Sequence, residues 1–415
     1  MKMKPRVMYI NLGLVYWLTG LLVHSSGGVA YADVRLSGSA YIETSLVNHD
    51  GTIRYGNRSD LHLKAVSLSE GAKLVAELDF YTVYGYLSSL MAGVGDSQQD
   101  AASDDLAARS TQLLRDGQFY VDRLYLKFPI SSADVIFGKQ RIAWGSGVIF
   151  RPTDSFNKPN PLSLSGRKEG VNALVTKVFV GDLSALDLVI APADVFKRID
   201  GEINLERLKY SKFASRLTLN KFKTDMAFSY QYNGGSRSHI CGLDMKGDVG
   251  TWHDVSLPGY HLETVFVTDS SNVENDAIEQ ARPTENYWQS VLGLDYSFWG
   301  KLILLGEYLY NGSGRAKRTK LTASDFSLLD EFKYRHYLYS QISYQHDIFL
   351  GASVLLLWNM VDGSFILSPG INYSLFQNTD LNLYSQMFFG DETDEYGPAR
   401  LGADQIYYLR LSLKY

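Results

Sequence analysis

The stretch "QIYYLRLSLKY", Gln405 to Tyr415, ends the chain on an aromatic residue inside an unfinished strand pattern. Tyr407, Leu409, Leu411, Leu413 and Tyr415 fall on one face; Tyr408, Arg410, Ser412 and Lys414 fall on the other. This is the period-two alternation of a half-buried strand. A free terminus frays, so a last residue placed inside a strand requires a neighbouring strand to hold it.

The other end of the chain narrows the search for that neighbour. Lys2, Lys4 and Arg6 precede a largely apolar run from Val7 to Val23, and small residues follow at Ala30 and Ala32. That order is a secretory signal, with cleavage expected after Ala32. Residues 1–32 are then the leader and 33–415 the mature domain. Removing three cations and no acid takes the formal charge from −5 to −8, which argues against a nucleic-acid partner. A single cysteine, Cys241, excludes an internal disulfide framework.

No later run reaches eighteen apolar residues, so spanning helices are not expected. An exported chain that is aromatic yet only modestly hydrophobic suits a transmembrane barrel, in which half of each strand faces lipid and half a wet lumen. The alternation recurs in segments of about ten residues. Leu74, Ala76, Leu78 and Phe80 oppose Lys73, Glu77 and Asp79; Leu124, Leu126 and Phe128 oppose Arg123, Tyr125 and Lys127.

The segments are 34–46, 60–69, 73–85, 118–129, 134–144, 170–179, 183–191, 207–219, 223–233, 238–247, 255–267, 287–298, 301–311, 334–346, 349–359, 364–376, 379–389 and 404–415. The expected fold is an all-β, antiparallel up-and-down barrel of eighteen strands, with sixteen as the alternative. Tight connections such as "VGDL", "FWGK" and "QNTD" follow even strands, and most long ones follow odd strands. Short periplasmic turns and long external loops place both termini in the periplasm of a bacterial outer membrane.

Closure follows from the solvent. An open edge in hydrocarbon would leave backbone groups unsatisfied, so the last strand is expected to pair with the first, around "VRLSGSAYIETSLV". The alternation ending at Tyr415 resembles the C-terminal signal by which outer-membrane proteins meet the barrel-assembly machinery, which makes that machinery an expected partner. Trp144, Trp288, Tyr308, Tyr310, Tyr337, Tyr339, Trp358 and Phe389 are expected in an outer aromatic girdle, with Phe128, Phe179, Phe298, Trp299, Phe376 and Tyr415 in an inner one.

The most distinctive block is "VIFGKQRIAWGSGVIFRPTDSFNKPNP", Val135 to Pro161. Gly138, Gln140, Trp144, Gly145 and Pro152-Thr153-Asp154 resemble the G-x-Q-x-x-x-W-G…P-x-D pattern of porin-like outer-membrane barrels, most of them without an assigned function. Alginate-export-type barrels are similar in carrying a G-x-Q stretch at a comparable place. Arg151 departs from the pattern, standing where the family often has Asn. The barrel as a whole reads as a passive diffusion channel for small hydrophilic solutes, selected at the Gln140-to-Lys168 loop, with no chemical step or cofactor required.

Physically, Gly145 and Gly147 permit a sharp turn and Pro152, Pro159 and Pro161 stiffen it, so the loop either folds inward and narrows the lumen or forms a rigid external cap with solvent-facing charges. The candidate constriction residues are Gln140, Arg141, Trp144, Arg151, Asp154, Asn157, Lys158, Arg167 and Lys168. Inward charges of both signs, among them Glu77, Asp79, Arg123, Glu263, Asp295, Glu307 and Arg410, argue against a one-sign selectivity ring.

Two loops carry opposite charge. Arg315, Lys317, Arg318 and Lys320 in "NGSGRAKRTK" are candidates for contact with lipopolysaccharide phosphates. Asp391, Glu392, Asp394 and Glu395 in "GDETDEYG" lack the order of a calcium loop and are expected to be a solvated acidic face.

The alternative function is a substrate-selective exporter or surface assembly component plugged by residues 86–117. An enzyme is less favoured: Ser238 and His239 alternate faces, and His336 and His346 lack metal-ligand spacing. Wide barrels of related form often associate as trimers, so a homo-oligomer stays open alongside a monomer.

Overall fold

A computed structural model describes residues 33–69, 71–86, 118–156, 170–193, 205–252, 255–268, 286–321 and 332–415. The expected leader, the 86–117 segment beyond Tyr86, and Asn157, Lys158, Arg167 and Lys168 lie outside the described residues.

The strands are β1 Asp33–His49, β2 Thr52–Ser69, β3 Ala72–Gly85, β4 Gln118–Ile130 and β5 Ala133–Gln140, followed by β6 Val171–Phe179 and β7 Ala185–Ala191. Next come β8 Lys212–Lys221, β9 Thr224–Asn233, β10 Ser238–Asp248, the short pair β11 Thr251–Trp252 and β12 Val255–Ser256, and β13 Gly259–Thr268. The last seven are β14 Tyr287–Phe298, β15 Leu302–Asn311, β16 His336–Gln345, β17 Leu350–Asn359, β18 Phe365–Phe376, β19 Thr379–Phe389 and β20 Gln405–Lys414.

All but β11 and β12 join one 18-stranded sheet. Every consecutive pairing is antiparallel, and β20 pairs with β1 through registers such as Arg410↔Glu43 and Leu413↔Ala40. The sheet is thus closed, which leaves no backbone edge to satisfy. Tyr415 is held where the sequence requires: its backbone exchanges hydrogen bonds with Gly38, the Gly38 N–H donating at 2.9 Å and the Gly38 carbonyl accepting at 3.1 Å.

The two faces separate as the alternation demands. Leu292, Leu294, Ile371, Leu383, Leu409 and Leu411 are exposed on the outside, whereas Glu43, Glu77, Asp79, Glu263 and Glu307 are buried within. Non-glycine residues carry the tight turns at one end, with Phe222, Lys223, Trp299 and Asn378 all at positive φ. Such turns match the right-handed twist of the strands they join.

Two expectations are corrected. The first connection, expected to span 47–59, is a tight turn at Asp50 and Gly51, and β1 and β2 pair continuously from Asp33↔Leu68 to His49↔Thr52. Of the girdle candidates, Trp144, Tyr337 and Tyr339 are not girdle residues: they are at most 4 % exposed and point inward. Trp288, Trp299, Phe376 and Tyr415 are exposed on the outside or at the rim.

The inner space is unevenly filled. Toward the end bearing the long loops, Phe150 packs with Leu309, Tyr337, Leu357, Ile366, Tyr396 and Tyr408 in one apolar cluster spanning β14 to β1. The wall formed by β20 and β1 to β4 instead presents ion pairs.

Candidate constriction site

After β5 the chain leaves the wall and crosses the lumen between Arg141 and Phe156. Gln140 ends the strand firmly, its side-chain amide donating to the carbonyls of Ile136 at 3.2 Å and Ala173 at 3.0 Å. Arg141 is exposed. Trp144 turns in against Phe156, edge to face at 5.6 Å between ring centroids, and the Arg216 guanidinium lies 6.0 Å from its ring.

Gly145 then takes a φ of +86°, and a Cβ there would lie 2.6 Å from a Glu263 carboxylate oxygen. Glycine is needed twice over, for the left-handed backbone and for the approach to the wall.

Beyond Gly145 the loop is held chiefly by wall carboxylates that accept its backbone N–H groups. Glu263 on β13 accepts from Gly147 N–H at 2.6 Å, from the Thr153 hydroxyl at 2.6 Å and from Thr153 N–H at 3.3 Å. Glu307 on β15 accepts from the N–H groups of Val148, of Ile149 at 3.0 Å and of Phe150 at 3.2 Å. Successive N–H groups curled around one carboxylate form a nest for negative charge. Both glutamates are completely buried, and charge-assisted bonds of this kind replace the water they lose.

Each anchor is itself positioned. His261 Nε2 lies 2.8 Å from Glu307 Oε1, passing over Gly293 on the intervening β14. The Asp244 carboxylate accepts from the Ser146 hydroxyl at 2.5 Å and from Arg216 at 2.9 Å. Gln231 donates to the Thr153 carbonyl at 2.7 Å and accepts from the Ser155 hydroxyl, while Lys212 donates to the Ser155 carbonyl at 3.0 Å. The loop is therefore fastened to β8, β9, β10, β13 and β15.

Arg151 is partly buried and donates back to the Gly147 carbonyl, and Asp154 is buried with its N–H bonded to the Arg151 carbonyl at 3.1 Å. Both stabilise the turn from within. Val148, by contrast, keeps 39 % of its surface exposed.

The β20 to β4 wall bears a succession of ion pairs. Arg410 pairs with Glu43 at 2.6 Å, Arg58 with Asp60 at 3.2 Å, Lys64 with Glu77 at 2.9 Å and Arg123 with Glu77 at 3.2 Å. Tyr41 is sandwiched, with the Arg410 guanidinium 4.5 Å and that of Arg58 5.7 Å from its ring. The carboxylate side chains in these pairs are 4 to 5 % exposed and the cationic ones 17 to 39 %, so the cations front the lumen with the acids behind them.

At the loop end the two charged segments meet each other. Arg318 pairs with Asp394 at 2.9 Å and also with Asp391, and these acids hold its pKa above the ordinary value. Arg315 donates to the Thr319 hydroxyl at 3.1 Å, and Lys317 and Lys320 are exposed. The acidic face is not wholly solvated as expected, because Asp394 and Glu395 are buried.

Ser238 bonds Ser236 at 2.7 Å, while His239 bonds the Tyr230 hydroxyl at 2.8 Å on the other face. Cys241 is exposed.

Glu263 and Glu307 face inward in the strand alternation, but no residue type in the sequence marks them as holders of the loop, and His261 carries no sequence signal.

No family profile and no curated protein matches the chain. Solved structures do match in shape. Acinetobacter baumannii OccAB1 is 9% identical with a TM-score of 0.59, covering 94% of this chain and 99% of its own. Pseudomonas aeruginosa OccK2 (OpdF), solved in complex with glucuronate, is 9% identical with a TM-score of 0.56, covering 92% and 97%. Pseudomonas aeruginosa OccK5 (OpdH) is 10% identical with a TM-score of 0.54, covering 92% and 97%. At these identities the likeness is one of fold, and it extends over nearly the whole of each chain.

Proposed function

We propose that this protein is an outer-membrane channel through which small hydrophilic solutes diffuse passively. The observation that carries the reading is the loop from Gly145 to Phe156, drawn across a closed barrel and fastened to the opposite wall by Glu263 and Glu307. A fastened inward loop narrows a lumen without sealing it, and solutes are then chosen by width and by the groups they pass.

The fold shared with OccAB1, OccK2 and OccK5 supports this, since those neighbours are outer-membrane channels and not enzymes. The glucuronate bound to OccK2 is a solute of the proposed size and polarity. In this reading the short turns and both termini face the periplasm, residues 1–32 are removed on export, and the strand ending at Tyr415 is read by the assembly machinery. Lys317 and Lys320 are the loop cations best disposed toward lipopolysaccharide, because Arg318 is engaged by Asp391 and Asp394.

The test is planar-bilayer recording of refolded residues 33–415. Stable conductance steps support the channel, and an inserted but silent barrel overturns it.

A further inference from the structure

The stretch YQYNGGSR, Tyr230 to Arg237, recurs as YLYNGSGR, Tyr308 to Arg315, with Tyr, Tyr, Asn, Gly and Arg at the same places. Each copy closes a strand, β9 or β15, at the end where the long loops gather, and each turns the chain in the same way. The Gly234 N–H donates to the Ser211 carbonyl at 3.1 Å, and the Gly312 N–H to the Trp288 carbonyl at 2.8 Å. The Asn233 side-chain oxygen accepts from the Gly235 N–H at 3.0 Å, and that of Asn311 from the Ser313 hydroxyl at 2.7 Å.

The strand that returns brings a histidine to each pair of tyrosines. His239 Nδ1, near the start of β10, lies 2.8 Å from the Tyr230 hydroxyl, and His336 Nδ1, at the start of β16, lies 2.6 Å from that of Tyr308. The second tyrosine flanks the ring, Tyr232 at 5.1 Å and Tyr310 at 5.7 Å between centroids. His239 follows its tyrosine by 9 residues and His336 by 28, so the same clamp is rebuilt across connections of different length. Turn geometry alone does not require that.

Both imidazoles stand on the outer wall, since the next residue inward, Ser238 or Tyr337, is buried. Exposed Trp288 lies between them at the same end, where aromatic rings mark the boundary of lipid and water. When the tyrosine hydroxyl donates to Nδ1, the ring proton stands on Nε2. Among the described residues that nitrogen has no partner in either copy.

We propose that His239 and His336 are two equivalent sites for a phosphate of the outer-leaflet glycolipid, lipopolysaccharide. A hydrocarbon tail offers Nε2 no hydrogen bond, whereas a headgroup phosphate at this height offers charged acceptor oxygens. The outward faces of β9, β10 and β13 to β16 carry no carboxylate, so an anion meets no repulsion from the wall. Arg237 and Lys317, exposed in the turns beside the two histidines, add positive charge at the same end. Four strand spacings, roughly 19 Å along the sheet, separate the imidazoles, so each meets its own phosphate.

The partner rests on the proposed orientation, with the long loops toward the outer leaflet, and the experiment reads site and orientation separately. The intact barrel in detergent is titrated with lipid A, and native mass spectrometry counts the molecules retained. Wild type is expected to retain two, His239→Phe and His336→Phe one each, and the double variant none. Phenylalanine keeps the ring and its packing without the nitrogens, and the loss of one hydrogen bond to a charged group is expected to weaken a site at least about tenfold. Dephosphorylated lipid A is expected to bind wild type no better than it binds the double variant.

Equal retention by wild type and double variant, or retention indifferent to the phosphates, would overturn the sites. Orientation is read on intact cells from the reaction of Lys317 and Lys320 with a membrane-impermeant amine reagent. Unlabelled lysines, with lipid A still retained in detergent, would overturn the orientation and with it this partner. Labelled lysines in a barrel that retains no lipid A would overturn the sites and leave the orientation standing.

Discussion

His261 and Glu307 stand on strands separated by β14, yet their side chains meet at 2.8 Å because Gly293 lies between them without a side chain. A Cβ on Gly293 would lie 1.9 Å from His261 Nε2. This contact holds the Glu307 carboxylate where it gathers three successive N–H groups of the crossing loop.

Gly293→Ala is accordingly expected to displace His261 and leave Glu307 without its hydrogen-bond partner on β13. The loss of one buried, charge-assisted bond is worth about 1.5–3 kcal/mol. Thermal unfolding in detergent should show that loss, and amide exchange should speed up from Val148 to Phe150 while the far wall stays unchanged. Unchanged exchange in the loop would mean that His261 does not position the anchor.

Removing the anchor itself should act more strongly. Glu307→Ala leaves three loop N–H groups without an acceptor, at about 1–3 kcal/mol for each that water does not reach. Release of the loop should widen the passage, so single-channel conductance is expected to rise and its noise to increase. A variant with wild-type conductance would show that the loop does not limit the path.

Gly145 and Gly181 separate two costs. Both have positive φ, +86° and +80°, but a Cβ at Gly145 meets Glu263 at 2.6 Å whereas nothing lies within 4 Å of one at Gly181. Gly181→Ala should cost only the left-handed backbone term, roughly 1–2 kcal/mol. Gly145→Ala should cost more and should also loosen the loop. Equal losses in a denaturation comparison would remove the steric role assigned to Gly145.

The ion-pair wall makes a prediction about charge. Glu43 sits behind Arg410, which it contacts at 2.6 Å, and Arg410 fronts the lumen. Glu43→Gln leaves the cation in place without its counter-charge, so the reversal potential in a salt gradient should shift toward anion preference. Glu43→Gln with Arg410→Gln should return it toward the wild-type value. A single variant with no shift would place the ion path away from this wall.

Much of the barrel was legible in the sequence, because lipid outside and polar groups inside force the same alternation on every strand. All eighteen segments correspond to observed strands, and the pairing that holds Tyr415 follows from the need to close. The first hairpin was not legible. Polar residues on both faces around Asn57, Arg58 and Asp60 resemble a loop, yet the turn lies at Asp50-Gly51 and lets β1 and β2 run on.

A stiff, sharply turning loop was legible from its glycines and prolines, but its inward course and its attachment were not. Gly147 and Phe150 bond to glutamates more than a hundred residues away, and nothing local in a strand marks one inward carboxylate as an anchor and another as a wall pair. Aromatic residues failed for a related reason: Trp144, Tyr337 and Tyr339 have girdle composition, and only their facing shows that they belong to the filled interior.

The most direct test of the account is single-channel conductance of residues 33–415 in a planar bilayer, for wild type beside the Glu263→Ala, Glu307→Ala double variant. The account predicts stable steps for wild type and larger steps for the variant whose loop has lost both anchors. Inserted wild-type protein that stays silent, or a double variant that conducts identically, would contradict it.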